Sequence, residues 1–255
     1  KYWEDIHPFV KFGCIRDDKF AEKMDEYVIY KDIDDKYITL ADALEENKEK
    51  HENTVFYVTN KNTQAGYIAM FKKARINAVY MEGIIDANYI QHLEMKNEGL
   101  KFIRVDADLD KALTKRTSKA DQAALDEKAA VLQEKLQKAL GDEKLNVEIK
   151  NLRNPEQSSI LTVSEESKRM ELMMRQMGMT EGLDMYKDPG KLVLNAGNEL
   201  VQYVMDNPDG ENTELVLEQL YDLARLGNAP LSSDDMTKFI ARSNKVMLLL
   251  AGIDK

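Results

Sequence analysis

The stretch TVFYVTNKNTQAGYIAMFKKARINAVYM (Thr54–Met81) decides the fold of the first part of the chain. It opens with an unbroken run of β-branched and aromatic residues, which predicts a strand. A polar turn at Asn60–Thr63 leads into the helical segment QAGYIAMFKKAR, and NAVYM at its end is typical of a second strand. A strand–helix–strand unit predicts two parallel strands joined by a right-handed crossover.

The flanking segments extend this unit into a small parallel-sheet domain. The spacing of apolar residues predicts a helix over Asp17–Tyr30, and Thr39 with Asp42 three residues later marks the start of another. A further helix is predicted over Asp86–Met95 and a third strand over Leu100–Val105. We therefore expect a first domain of class α/β over residues 1–110.

The composition then changes, and a second domain is predicted. Asp106–Gln122 is highly charged and poor in large apolar residues, which indicates a charged linker over 111–121 and a domain over 122–255. The segments LNVEIK and SSILTV alternate like antiparallel strands joined by a turn at Arg153–Gln157. The other predicted elements are a helix over Ala123–Leu140 stopped by Gly141, a methionine-rich helix between Ser164 and Gly178, the short strand KLVLNA and a helix broken by Pro208. Two helices over Thr213–Leu226 and Ser233–Ala251 close the chain, and SSDD (Ser232–Asp235) caps the last of them, which Gly252 ends. The sequence thus predicts an α+β second domain ending in a helical bundle, and an α+β chain overall.

Composition excludes several classes of protein. With 43% hydrophobic residues among 255, the chain is long enough for a substantial core. A net charge of −10 argues against nucleic-acid binding, and no apolar run is long enough to cross a membrane. The single cysteine, Cys14, allows no intrachain disulfide, which fits a cytoplasmic protein. Because the chain opens on Lys1 directly in a predicted helix, we expect a fragment of a longer protein.

The sequence lacks the usual catalytic signals. It has no phosphate-binding G-x-x-x-x-G-K-[ST] motif, and the turn at Asn60 lacks the glycines of a dinucleotide site. The three histidines are far apart, and the acidic run at Asp32–Asp35 is more typical of a solvated loop than of a metal site. An α/β module that binds a nucleotide or metabolite remains an alternative, with its ligand near Asn60 and Glu82 at the carboxyl ends of the strands.

The last two helices carry more apolar surface than one small domain needs. If one face packs on the chain itself, the other suits the same helix pair of a second copy, which would form a four-helix bundle. The opposing interpretation is that both faces are satisfied within the chain. The residues predicted to form the dimer are Leu220, Met236, Phe239, Ile240, Val246, Met247 and Leu250.

A stripe of methionines follows the predicted strand pair. Met170, Met173, Met174 and Met177 are spaced at i, i+3, i+4 and i+7, which places them on one face of a helix. Burial of one such side chain is worth about 1.5–3 kcal/mol, so periodicity alone favours core packing. However, methionine is flexible and polarizable, and it is over-used on surfaces that accept many partners.

Several segments, in order, resemble the ninety-kilodalton heat-shock chaperone family. The segment RMELMMRQM (Arg169–Met177) is similar to the family's N-M-E-R-I-M-K-A-Q helix. The opening YWEDIHPFVKFGCI resembles F-W-x-x-F-x-x-x-L-K-x-G-I, ENTVFYVTNKNTQ resembles I-Y-Y-I-T-G, AVYMEGIIDANYIQHL resembles V-x-Y-M-x-D-x-I-D-E-Y-x-x-x-x-L, and LVLNAGNELVQYV resembles L-E-I-N-P-x-H-P-L-V. The resemblance spans nearly the whole chain. It implies the distal part of a middle domain followed by a carboxy-terminal dimerisation domain.

The resemblance also implies a function. ATP and Mg²⁺ would bind in an upstream domain, so this chain would not be an enzyme, would hold no cofactor, and would supply the client-contact and dimer-forming parts of an ATP-driven chaperone. Partly folded clients would contact Met170, Met173 and Met174, with Met177 extending the same face by spacing. A second family client patch follows the Ile-Asp signature, here at Asn88 and Tyr89. A plain dimerisation module without a client surface is the third interpretation.

Overall fold

The computed structural model describes residues 2–49, 51–107, 113–176, 190–228 and 230–253. The chain divides into two compact units, one formed by 1–107 with 165–187 and the other by 108–164 with 188–255. Both units combine helices with a small sheet, so the predicted mixed α/β class is confirmed. Among the described helices, none has both the length and the apolar character needed to cross a bilayer.

The first unit is built on the predicted strand–helix–strand element. β3 (Thr54–Val58) lies at the centre of a three-stranded sheet, between β4 (Ala78–Tyr80) and β5 (Lys101–Arg104). Both pairings are parallel, as the sequence predicts. The other elements of the unit are α1 (Trp3–Arg16), α2 (Asp18–Met24), β1 (Ile29–Lys31), β2 (Tyr37–Thr39), α3 (Leu40–Asn47), α4 (Ala65–Ala74), α5 (Asp86–Lys96) and α7 (Glu165–Gln176).

The helix predicted over Asp17–Tyr30 is wrong in its second half. The helical segment ends at Met24, and Ile29–Lys31 instead pairs antiparallel with Tyr37–Thr39 as a small hairpin. The start of the next helix is confirmed, because the Thr39 hydroxyl accepts the Asp42 amide at 3.1 Å in a capping box. The acidic loop between the two strands is held by Asp32, whose carboxylate accepts the backbone amides of Asp34 and Lys36.

A buried ion pair fixes α5 against α1. The Lys11 ammonium lies 2.6 Å from the Asp86 carboxylate, and both side chains are almost fully buried. Asp86 also accepts the Gly83 amide at 2.9 Å, while the Lys11 nitrogen lies 5.7 Å from the ring centroids of both Tyr30 and Tyr89. A buried charge is tolerated only when it is paired and hydrogen-bonded, and here it is. The pair therefore sets the position of α5, which forms one wall of the site described below.

The second unit packs helices on a mixed sheet. Its elements are α6 (Lys119–Leu140), β6 (Asn146–Lys150), β7 (Ser159–Thr162), β8 (Lys191–Asn195), α8 (Glu199–Asp206), α9 (Thr213–Leu226) and α10 (Ser233–Leu250). Helix α6 begins within the predicted linker range, where the Ser118 hydroxyl caps it, and Gly141 ends it in the left-handed region as predicted. Aliphatic residues of the helices and strands form one core, which includes Leu132, Leu136, Ile149, Leu192, Leu194, Val201, Leu217 and Leu220.

The predicted strand pair of this unit is wrong. β6 and β7 do not pair with each other, because β8 lies between them, parallel to β6 and antiparallel to β7. Four of the five β8 residues are buried, whereas β6 alternates between buried and more exposed residues. The outer strand β7 is buried at all four of its positions, so burial alone does not decide which of the three strands is central.

Candidate functional site

The methionine helix α7 presents Met170 and Met173 to solvent. Met170 is 40% exposed and Met173 is 47% exposed, while Met174 is partly buried. Glu165 and Glu166 occupy the first turn, where negative charge is favourable. Met177 and Gly178 lie outside the described residues. Met170 and Met173 are therefore not core residues, contrary to the core packing that periodicity favours.

Arg169 attaches α7 to the rest of the unit through several hydrogen bonds. Its guanidinium forms a bidentate ion pair with the Glu94 carboxylate of α5, with nitrogen–oxygen distances of 2.5 and 3.0 Å. The same group donates to Glu165 one turn earlier at 2.8 Å and to the Phe102 carbonyl at 2.8 Å. We call Arg169, Glu94 and Glu165 the docking network. Bidentate arginine–carboxylate pairs of this kind are among the strongest hydrogen bonds in proteins.

The docking network covers the free edge of β5. β5 is an outer strand, so Phe102 and Arg104 turn their backbone groups away from β3. The Phe102 amide donates to Glu94 at 2.7 Å, and the Arg104 amide donates to Glu165 at 2.8 Å. Unpaired strand edges attract other strands unless they are covered. Side chains of two helices thus replace the missing neighbouring strand.

Electrostatics keeps Arg169 charged. Partial burial alone would lower the pKa of Arg169, but the hydrogen bonds to Glu94 and Glu165 raise it above its ordinary value. Burial, with the nearby Glu165 carboxylate, raises the pKa of Tyr57, whose hydroxyl donates to Glu165 at 2.6 Å. Glu165 therefore accepts hydrogen bonds from three groups of the unit, Tyr57, Arg104 and Arg169.

A groove of about 800 Å³ runs beside this network, and we call it the methionine groove. It brings together two patches that the sequence predicts separately, Met170 and Met173 from α7 and Asn88 from α5. Tyr89 is not on its wall, because the ring is buried in the core with its hydroxyl near that of Tyr30. The remaining lining residues are Ala87, Gln91, Glu94, Lys101, Phe102, Ile103, Glu165, Glu166 and Arg169.

The sequence alone does not predict the docking network of this site. The spacing of Glu165 and Arg169 at i and i+4 predicts a pair on one helix face. No local pattern connects that pair to Glu94 or to the edge of β5, which are about 60 to 75 residues away in the chain.

The predicted dimer residues lie on two helices of the second unit. All 18 residues of α10 are described, and none of them is buried. Ile240, Met247 and Leu250 are exposed, whereas Met236, Phe239 and Val246 are partly buried. Leu220 of α9 is buried in the core of the unit, so it does not contribute to the exposed surface.

Polar contacts hold α10 on α9. Arg242 lies 2.6 Å from Asp222 and 2.5 Å from Glu218, and Arg225 lies 2.7 Å from Asp235. The Ser232 hydroxyl caps α10 by accepting the Asp235 amide, as predicted, and Gly252 follows the helix in the left-handed region. Because α10 attaches through charged side chains, much of its apolar stripe remains on the surface.

In the turn proposed for the alternative ligand site, side chains of the chain itself already accept the backbone amides. The amides of Thr59 and Asn60 donate to the Gln64 side-chain oxygen, at 2.8 and 3.0 Å. The Lys61 amide donates to Glu82 at 2.8 Å, and the amides at 62 and 63 donate to the Asn60 side chain. A phosphate bound there by backbone amides would have to displace these acceptors. Within the described ranges, no three His, Cys, Asp or Glu side chains are grouped as metal ligands.

Comparison with known proteins identifies the family. The family model described as Hsp90 protein matches residues 1–255. The chaperone protein htpG of Bacteroides fragilis is 30% identical over 222 residues, which cover 82% of this chain and 32% of that protein. The chaperone protein HtpG of Porphyromonas gingivalis is 26% identical over 230 residues, which cover 86% of this chain and 33% of that protein. The chain therefore spans about a third of the length of the curated relatives it matches. By these matches, the chain belongs to the Hsp90 family.

Proposed function

We propose that this chain is the client-contact and dimer-forming part of an ATP-dependent chaperone that assists protein folding. The observation that supports it best is the exposure of Met170 and Met173 on one groove with Asn88. Exposed methionines give an apolar surface that adapts to many partner shapes. We assign ATP and Mg²⁺ binding, and hydrolysis, to parts of the family protein outside these 255 residues.

The chemistry of the methionine groove suits partly folded polypeptides. Its apolar wall, formed by Met170, Met173 and Ile103, would cover an exposed hydrophobic side chain of a client. Polar side chains such as Asn88 and Gln91 can hydrogen-bond the backbone beside it. The contact would be weak per groove, and a dimer would offer the same client two grooves, which raises the effective affinity.

We propose that the second copy binds along α10. Helix α10 has 18 residues, none of them buried, so its apolar side chains contribute little to the stability of its own unit. The apolar stripe of α10 is therefore available to a partner. An isologous pairing would place Ile240 and Met247 of both copies in one interface. We expect the assembled protein in the cytoplasm.

Aspartate substitutions in the groove test the client role. Met170→Asp with Met173→Asp should abolish suppression of client aggregation while leaving the thermal unfolding midpoint nearly unchanged, because both side chains are partly solvated already. Met95→Asp is the matched control, since Met95 is 81% exposed on α5 but does not line the groove.

Each outcome of this test has a defined meaning. Full suppression by the groove variant would refute the client role and leave the plain dimerisation module. A large drop in its unfolding midpoint would instead show that the methionines belong to the core. A strong, saturable thermal shift of the unmodified chain with a nucleotide would favour the alternative ligand-binding module.

A further inference from the structure

We propose that Arg169 is the positioning residue of the client surface: it holds α7 on the edge of β5 and thereby sets Met170 and Met173 on the wall of the methionine groove. The consequence for clients depends on the proposed function, whereas the docking itself does not. The inference starts from the attachment of α7, in which the charged Arg169 contacts the unit while Met170 and Met173 remain 40% and 47% exposed.

An amphipathic helix normally attaches by its apolar stripe. In α7 the described attachments include Glu165 and Arg169, which contact Glu94 and the outward backbone of β5. Within the docking network, Arg169 is the member that contacts both other members, one on its own helix and one on α5. Its loss would therefore break the connection between the two helices.

Arginine is suited to this position by its shape. The planar guanidinium has enough donors to bond both oxygens of Glu94, one oxygen of Glu165 and the Phe102 carbonyl together. A lysine ammonium is a compact point charge and cannot reproduce the bidentate pair with Glu94. Without any cation at this position, two carboxylates would remain on one strand edge, where like charges repel.

Hydrogen exchange of individual β5 amides tests the docking directly. The Phe102 and Arg104 amides bond to the docking network, whereas those of Lys101 and Val105 bond to the backbone at Asn53 and Tyr57. In Arg169→Ala, the first pair should exchange about tenfold faster or more, the factor expected when one charge-assisted hydrogen bond is lost. The second pair should exchange at the original rate and serves as an internal control.

Two further variants separate docking from charge. Lys101→Ala removes another positive charge from the lining of the groove and should leave exchange at Phe102 and Arg104 unchanged. Arg169→Lys keeps the positive charge but loses the bidentate geometry. Exchange of the Phe102 and Arg104 amides in this variant should therefore be faster than in the original chain and slower than in Arg169→Ala.

The same variants, assayed for suppression of client aggregation, complete the test. The proposal is supported if Arg169→Ala shows both faster exchange at Phe102 and Arg104 and weaker suppression, with Arg169→Lys intermediate in both. It is overturned if exchange at these amides does not change, or if it accelerates while suppression stays at the original level. Failure of the proposed function has a different signature, since the methionine double variant would then suppress aggregation normally, whatever the exchange rates.

Discussion

Aspartate at both Ile240 and Met247 should convert a dimer of this chain into monomers. About half of each side chain is still exposed in the single chain, 52% for Ile240 and 58% for Met247. Full burial of such a side chain is worth about 1.5–3 kcal/mol, so the exposed half corresponds to about 0.8–1.5 kcal/mol. Two such residues in each of two copies contribute about 3–6 kcal/mol to the free energy of association. Loss of this contribution would raise the dissociation constant about 10²- to 10⁴-fold.

Sedimentation equilibrium over a range of concentrations measures this change. The matched control is Leu200→Asp, because Leu200 is 51% exposed on α8 of the same unit but lies outside α9 and α10. At a concentration low enough for both variants to be monomeric, the unfolding midpoint of the double variant should stay close to that of the control, since no residue of α10 is buried. A dissociation constant that changes by less than about threefold, equivalent to about 0.7 kcal/mol, would refute the assignment of α10 to the interface.

Three further predictions concern stability and reactivity. Arg242→Ala should destabilise the second unit by about 1.5–3 kcal/mol in denaturant titrations, because the buried Asp222 loses its 2.6 Å partner and keeps Arg225 at 3.4 Å; an unchanged midpoint would contradict the importance of this pair. Gly190→Ala should cost more than Gly141→Ala, because both glycines have positive φ but a Cβ at 190 would lie 2.9 Å from the Thr162 carbonyl oxygen, whereas one at 141 meets nothing within 4 Å. We expect about 1–2 kcal/mol at 141 from backbone strain alone, and equal losses at the two sites would show that the contact relaxes. Burial raises the pKa of Cys14, so its thiol should react with a disulfide reagent at pH 8 only after unfolding, and rapid labelling of the native chain would be the opposite result.

Local patterns in the sequence predict much of the fold. The strand–helix–strand unit around β3 and the caps at Thr39, Gly141 and Ser232 are all found where the sequence places them. These features depend on residues close together in the chain. Periodicity and capping chemistry therefore suffice to predict them.

Strand pairing in the second unit is not local, and the prediction fails there. β8 enters the sheet between β6 and β7 from about 30 residues beyond β7. Burial does not reveal the order of the strands either, because the outer strand β7 is buried at all four positions and the central strand β8 at four of five. The hairpin of β1 and β2 has a sequence signal, two β-prone segments around the acidic turn at Asp32–Asp35, which the longer helical periodicity obscures.

The candidate site is predicted in part. Spacing identifies the methionine stripe, but it cannot decide which side of α7 faces solvent. That choice depends on Arg169 and on its ion pair with Glu94, a contact between residues 75 positions apart. Tyr89 illustrates the same limit, because its place next to Asn88 gives no sign that α5 turns its ring into the core.

Oxidation of individual methionines by a mild oxidant, followed by mass spectrometry, tests the central claim most directly. In the free chain, Met170 and Met173 should be oxidised at rates comparable to that of exposed Met95 and far faster than buried Met70. An added unfolded client should slow oxidation of Met170 and Met173 but not of Met95. Oxidation of the two groove methionines as slow as that of Met70, or rates that do not change when the client is added, would contradict a client surface on α7.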